Sequence, residues 1–125
     1  MYLSKAFDAI TKKYPQNVSA SLYNDPRIRI EYINVLPKIC VVLDGEDFRN
    51  LFEISIVRIP SLESNLSYKE FKNFINPPDD ELDEEELFTL RLNRVAFDEL
   101  NEENNKIFEI LWDELNKIEM EMKNV

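Results

Sequence analysis

Four runs of apolar residues crowded between positions 18 and 59 most constrain the fold of this chain. Residues 18–22 and 27–33 alternate apolar with polar side chains, which is typical of strands with one wet face. The run "KICVVL" (38–43) is apolar on both faces and fits the interior of a sheet, and "LFEISIVRI" (51–59) follows it. The intervals are too short for crossover helices, so we predict an antiparallel meander.

The only glycine of the chain stands at the end of the third run. It forms the pair Asp44-Gly45, and Asp-Gly is a common hairpin turn whose central residues need a positive φ. We therefore expect the chain to reverse direction at Gly45.

Helical periodicity marks both ends of the chain. Apolar residues three and four apart predict a helix over 3–13, which Pro15 follows. A longer stripe predicts a helix over 101–123, with Leu111 and Trp112 buried against the sheet. The stripe consists of Ile107, Leu111, Leu115, Ile118 and Met122, with Phe108 and Trp112 beside it.

Two further elements lie between these ends. In "SYKE", Ser67 and Glu70 form a capping box, which predicts a short helix over 68–75. The segment 87–94 alternates apolar and polar residues as a strand does. A helix over 81–96 is the alternative, because three apolar residues there also share a helical face, namely Phe88, Leu92 and Val95.

These elements predict one α+β domain over residues 1–125. An antiparallel sheet of four or five strands is expected to pack against an N-terminal helix and a long C-terminal helix. Hydrophobic residues make up 44% of the chain, which is enough for a core without metals or disulfides. The single cysteine, Cys40, lies in an apolar run and is expected to be a buried, inert thiol. With no apolar leader and no long apolar stretch in view, we expect a cytoplasmic protein.

The charge of the chain is concentrated in its last part. Residues 1–78 hold ten Lys and Arg against nine Asp and Glu, whereas residues 79–125 hold five against sixteen. The stretch "PPDDELDEEE" (77–86) is expected to be an acidic, mobile loop, and the acidic excess continues beyond it. The candidate partner-binding carboxylates are Asp79, Asp80, Glu81, Asp83, Glu84, Glu85, Glu86, Asp98, Glu99, Glu102, Glu103, Glu109 and Asp113.

These carboxylates do not match a catalytic or metal-binding pattern. Glycosidases hold two carboxylates in a cleft with different environments, whereas this cluster has almost no apolar cover. A calcium loop needs a glycine at its turn and alternating ligands, and both are missing. The chain has no histidine to serve as a base for Cys40 or a serine. We therefore expect no enzymatic activity, no cofactor and no metal.

A surface of one charge sign attracts surfaces of the opposite sign and speeds their encounter. Nucleic acid would be repelled, so direct binding to it is not expected, and neither is a membrane. A basic protein that itself handles nucleic acid would fit, because carboxylates can occupy the Arg and Lys sites meant for phosphates. The simpler alternative is a solvated loop that keeps the protein soluble.

In size, charge and lack of catalytic residues, the chain resembles small acidic inhibitors encoded by viruses and mobile elements. Several anti-CRISPR proteins and toxin-immunity proteins are of this kind. The resemblance implies an inhibitor in the cytoplasm of a host cell. The order of elements, and "ICVVLDGEDFRNLFEISI" in particular, also resembles the small acidic chaperones of type III secretion, which implies an escort for a partner protein. The chain departs from these in lacking their usual glycines, and a homodimer stays open.

Overall fold

The computed structural model describes residues 2–22, 28–46, 51–76, 82–93 and 102–124. Their order confirms the α+β fold: a five-stranded antiparallel sheet with strand order β1-β2-β3-β4-β5, an N-terminal helix, a C-terminal helix and a short helix between β4 and β5. The elements are α1 (Tyr2–Lys13), β1 (Val18–Ser21), β2 (Ile28–Leu36), β3 (Ile39–Glu46), β4 (Leu51–Arg58), α2 (Tyr68–Ile75), β5 (Glu85–Asn93) and α3 (Glu102–Lys123).

Side chains alternate along each strand, so the sheet has two faces, and each carries its own core. We call them the α1/α3 face and the α2 face, after the helices that pack on them. The α1/α3 face buries Ala6, Ile10, Ile33, Ile39, Val41, Leu43, Ile54, Ile56, Leu111, Leu115 and Ile118. The α2 face buries Ala20, Tyr32, Cys40, Val42, Val57, Ile59, Leu62, Phe71 and Ile75. As predicted, the run 38–43 supplies the central strand, because β3 contributes to both cores.

The expected reversal at Gly45 is wrong. β3 continues to Glu46, and Gly45 lies buried within it, in register with Arg29 of β2 and Phe52 of β4. Its φ is not positive; among the described residues, positive φ values occur at Lys38 and Asn65. The strand extends past Asp44 because its pairing with both neighbours continues there, and residues 47–50, which connect β3 to β4, lie outside the described part of the chain.

The structure confirms the predicted capping box, and it decides between strand and helix for the segment 87–94. The backbone nitrogen of Glu70 donates to Ser67 Oγ over 3.2 Å, and the backbone nitrogen of Ser67 donates to Glu70 Oε1 over 3.1 Å. These bonds hold the first turn of α2. Hydrogen bonding of the Glu70 carboxylate to the Ser67 side chain, and then to the Ser67 backbone N–H, lowers the pKa of that carboxyl. Segment 87–94 falls in a strand that begins two residues earlier and ends at Asn93, so the alternative helix over 81–96 is wrong.

The long helix packs as predicted at its central stripe but not at its tryptophan. Leu111 is fully buried in the α1/α3 face, whereas Trp112 is only half-buried. The Trp112 ring meets Tyr14 edge-on, with ring centroids 6.1 Å apart, and stacks on Phe108 at 5.8 Å. It therefore packs at the margin of the α1/α3-face core and contacts Tyr14, the residue that follows α1, because it stands beside the apolar stripe and not within it.

Candidate functional site

The α2 face of the sheet has an apolar region and a polar region. Over β1, β2 and β3 it is covered by α2, whose Phe71 and Ile75 are buried there. Toward β4 and β5, and at Asp44 near the end of β3, the described side chains of this face that lie outside its core are polar. We call this second region the polar half; its side chains are those of Asp44, Glu53, Ser55, Glu84, Glu86, Thr89 and Arg91.

Strand register brings these polar residues onto one face. Val57 of β4 is buried in the α2-face core, so alternation places Ser55 and Glu53 on the same face. In β5, Thr89 lies in register with Ser55, and Arg91 with Glu53. A bulge between Ile56 and Val57 lets Glu86 come opposite Val57, and it thus joins the same face. Asp44 of β3 stands directly opposite Glu53, so two carboxylates are cross-strand neighbours.

Hydrogen bonds and an ion pair order the polar half. The Nε of Arg91 donates to Glu53 Oε1 over 3.0 Å, and the hydroxyls of Ser55 and Thr89 lie 3.1 Å apart. The Thr89 hydroxyl donates to Glu86. The Arg91 side chain is 75% exposed and that of Glu53 34%, so their ion pair is open to solvent and screened. Among the described side chains that define the polar half, one is an arginine and four are carboxylates, those of Asp44, Glu53, Glu84 and Glu86.

The segment before β5 is anchored to the α2 face. Leu82 is half-buried against the core of that face. The Tyr32 hydroxyl donates to Glu84 Oε2 over 2.8 Å, and the backbone nitrogen of Ser61 donates to Asp83 Oδ2 over 3.2 Å. The Ser61 hydroxyl donates to the other oxygen of Asp83. These contacts hold the carboxylate of Glu84 at the border between the apolar and polar parts of the face.

The predicted acidic loop over 77–86 overlaps β5 at its last two residues. Glu85 and Glu86 lie in β5, and Glu85, next to Glu86 along the strand, projects toward the opposite face. There its Oε2 lies 3.6 Å from Nη1 of Arg58, with which it is in register. Every carboxylate from Asp83 to Glu86 has a hydrogen bond or an ion pair. Residues 77–81, including the candidates Asp79, Asp80 and Glu81, lie outside the described residues.

The remaining candidate carboxylates belong to a different part of the molecule. Glu109 and Asp113 are exposed on α3, which packs on the α1/α3 face. Glu109 lines a groove of about 590 Å³ between α1 and α3 together with Lys12 and Lys13, so its surroundings are of mixed charge. Glu102 and Glu103 begin α3, and Asp98 and Glu99 lie outside the described residues. Among the candidates in the described residues, Glu84 and Glu86 thus lie in the polar half, and Asp83 and Glu85 lie outside it. The other four belong to α3, namely Glu102, Glu103, Glu109 and Asp113.

The sequence analysis missed two carboxylates of the polar half, Asp44 and Glu53. Each occupies an ordinary polar position next to apolar residues, and neither belongs to the acidic stretch. The available signal was alternation: Asp44 stands two positions after Val42, and Glu53 stands two before Ser55, so each pair shares a strand face. Only the register of β3 against β4 shows that the two carboxylates face each other.

Cys40 lies in the central strand, β3. It is fully buried in the α2-face core, as expected, and burial raises the pKa of its thiol to about 12. The side chain of Asn34, whose Nδ2 lies 3.9 Å from Cys40 Sγ, opposes this rise, and the negative charge of Glu84 adds to it. The thiol is therefore protonated at neutral pH. In the described part of the chain, no group of three His, Cys, Asp or Glu side chains is arranged to hold a metal ion.

Comparisons with known proteins add no family. No protein-family model matches the sequence, and no curated protein or solved structure matches the chain. Among the helices in the described ranges, none combines the length and the apolar character needed to cross a membrane. Fold and surface define an α+β domain with an acidic, hydrogen-bonded sheet surface.

Proposed function

We propose that this chain is a non-catalytic binding protein that inhibits a basic, nucleic-acid-handling protein. It does so by placing carboxylates where the phosphates of the nucleic acid would sit. The observation that carries the proposal is the clustering of Asp44, Glu53, Glu84 and Glu86 on one half of a sheet face, contributed by three strands and the segment before β5.

The arrangement of the polar half supports recognition as well as attraction. A merely solvated acidic loop needs no defined positions, whereas Glu84 and Glu86 are held by the hydroxyls of Tyr32 and Thr89. Carboxylates fixed in this way accept hydrogen bonds from Arg and Lys with little further loss of side-chain freedom. Neighbouring strands lie about 4.8 Å apart, and same-face residues along a strand about 6.8 Å apart. Charges at such spacings can engage several basic side chains of one partner at once.

The test is displacement of nucleic acid by the chain. Proteins captured on the immobilised chain would be purified, and each would be bound to a labelled DNA or RNA duplex. The proposal predicts that the chain displaces the duplex at about one equivalent, and that the displacement weakens as salt rises. A captured protein that holds the chain and the duplex together would contradict it.

A matched pair of variants assigns the effect to a surface. Glu53→Gln with Glu86→Gln removes two charges from the polar half, and Glu109→Gln with Asp113→Asn removes two from α3. Only the first pair is expected to weaken displacement, although both change the net charge equally. An equal loss in both would show that total charge, and not the polar half, is what the partner senses.

The alternative proposal is that the chain escorts a partner protein as a chaperone. Such a protein would bind through exposed apolar surface. The exposed large hydrophobic side chains in the described residues are Tyr68 on α2 and Ile110 and Met120 on α3, which pack on opposite faces of the sheet. This spread favours the inhibitor. A captured partner that is held unfolded, and whose binding is insensitive to salt, would favour the escort instead.

A further inference from the structure

Of the two edge strands of the sheet, β5 is the longer. It spans nine residues, and within the described part of the chain it pairs with β4 alone. The opposite edge strand, β1, has four residues and lies beside α2. The outer side of an edge strand presents backbone N–H and C=O groups that a further strand can use. The side chains along β5 indicate which strand fits there.

Three side chains of β5 form a row on the α2 face, namely those of Glu86, Thr89 and Arg91. Leu87 has no partner in β4, because the bulge in the pairing falls there. Glu86 therefore lies two paired positions from Thr89 on one side, and Arg91 lies two positions from it on the other. An acid and a base thus stand at equal steps from a central hydroxyl.

The α1/α3 face of the same strand is apolar around Thr89. Phe88 and Leu90, its neighbours along the chain, are partly buried against the core of that face. A twofold axis through Thr89, perpendicular to the sheet, exchanges the positions of Phe88 and Leu90. It also exchanges the positions of Glu86 and Arg91. The outer side of β5 is therefore complementary to itself, because an apolar position exchanges with an apolar one and an acid with a base.

We propose that the outer edge of β5 pairs antiparallel with β5 of a second copy of this chain, around a twofold axis through Thr89. Glu86 of each copy lies opposite Arg91 of the other. On the other face of the sheet, Phe88 lies opposite Leu90. Cross-strand pairs of opposite charge and of apolar residues stabilise such a ladder, and the symmetry makes each pair occur twice. The two sheets then join into one.

The mixed charge of β5 selects this occupant and this register. A partner strand of one charge sign would be attracted by one of the two charged side chains and repelled by the other. An axis through Arg91 would place Arg91 opposite itself, and like charges directly opposite each other are destabilising. An axis through Leu90 would place Arg91 opposite Thr89 and would give Glu86 no basic residue opposite it. The axis through Thr89 satisfies both charges at once.

Arg91 and Glu86 can make these contacts while keeping their present ones. The ion pair of Arg91 with Glu53 uses Nε, over 3.0 Å, and the Arg91 side chain is 75% exposed. The Nη atoms of a guanidinium carry further N–H donors, which suit a second carboxylate. Glu86 is exposed and accepts a hydrogen bond from the Thr89 hydroxyl, and a carboxylate can accept more than one.

The pairing goes beyond the proposed function and does not depend on it. Opposite residues of an antiparallel pair lie on the same face of a sheet, so the polar halves of the two copies adjoin on one side of the joined sheet. The contact uses the edge of β5 and leaves the α2 face uncovered. A partner of the polar half would therefore meet two copies of it side by side.

The experiment measures self-association of the full chain by sedimentation equilibrium in low salt. Glu86→Arg and Arg91→Glu each set like charges opposite one another at both symmetric positions. They change the net charge of -10 by two units in opposite directions, so a general effect of charge would move the two variants oppositely. Glu109→Arg on α3 is the control for Glu86→Arg, because it makes the same change of charge away from β5.

We expect the unmodified chain and Glu109→Arg to dimerise at or below about 0.1 mM. Each charge pair turned from attraction to repulsion should weaken the dimer roughly fivefold, so each β5 variant should lose roughly 25-fold. An equimolar mixture of Glu86→Arg and Arg91→Glu should regain the dimer, because every acid of one chain then faces a base of the other. Recovery in the mixture also shows that both variants are folded.

A cysteine cross-link tests the position of the axis. In Thr89→Cys the two introduced thiols face each other and should form a disulfide between the copies under mild oxidation. Ser55→Cys is the matched control, because the two β4 strands lie three strand spacings apart in the joined sheet, about 14 Å, beyond the reach of a disulfide. Cys40 is buried and should not take part.

Several results would overturn the pairing. A chain that stays monomeric at about 0.1 mM would do so, and so would a dimer that Glu86→Arg and Arg91→Glu leave intact or shift in opposite directions. A mixture of these two variants that stays monomeric would refute the contact between Glu86 and Arg91. Equal cross-linking of Thr89→Cys and Ser55→Cys, or none in either, would refute the axis.

Discussion

Replacing Leu111 with alanine tests the packing of α3 on the sheet. Leu111 is fully buried in a core built from α1, three strands and α3. The substitution removes three carbon groups, worth about 0.8 kcal/mol each in lost burial, or about 2.4 kcal/mol. A cavity that does not collapse adds to this, so measured losses for buried leucines reach about 5 kcal/mol. We expect a loss of about 3 kcal/mol, a large part of the stability of an ordinary domain.

The assay is urea unfolding followed by far-UV circular dichroism, with thermal unfolding as a second measure. In a domain of this size each kcal/mol lowers the Tm by about 4 °C, so a decrease of about 12 °C is expected. The matched control is Ile110→Ala, because the neighbouring Ile110 is 45% exposed and should lose little. An unchanged Tm in Leu111→Ala, or equal losses in both variants, would refute the packing of α3 described here.

Three other predictions concern Cys40 and the cap of α2. Because burial raises the Cys40 pKa from 9.0 to about 12, the unfolded chain loses this proton first as the pH rises. The free energy of unfolding should therefore fall above about pH 9. The fall should be steeper than in Cys40→Ala by up to about 1.4 kcal/mol per pH unit, and parallel pH curves for the two proteins would contradict this. The native thiol should also resist thiol reagents at pH 8 and react on unfolding, whereas fast labelling of the native protein would show an accessible thiol. Ser67→Ala should lower the free energy of unfolding by about 1 kcal/mol, because it removes the N-cap of α2. Ser64→Ala is the control outside the helix, and equal losses in the two variants would contradict a role of the cap.

Local sequence patterns predicted most of the elements because the physics behind them is local. Alternation identified the strands, and the Ser67 capping box identified α2 to the residue. The apolar stripe through Leu111 identified the buried face of α3. Gly45 was misplaced because Asp-Gly favours a turn only when the strand pairing ends there, and here the pairing continues.

The polar half could not be predicted, because it depends on register between strands. Glu53 and Asp44 become neighbours only when β3 and β4 pair as they do. A bulge in the pairing of β4 with β5 decides that Glu86, and not Glu85, faces the same way. Likewise, the bond from Tyr32 to Glu84 joins residues 52 positions apart, which no local pattern indicates.

The most direct test of the acidic surface is the association rate of the chain with its captured partner as a function of ionic strength. The Debye length falls from about 30 Å at 0.01 M salt to about 3 Å at 1 M, so electrostatic steering is removed across this range. If the polar half recognises the partner, Glu53→Gln with Glu86→Gln should slow association by about tenfold at low salt and flatten the salt dependence. Glu109→Gln with Asp113→Asn should leave both close to those of the unmodified chain. Equal rates and salt slopes for the two double variants would contradict the account.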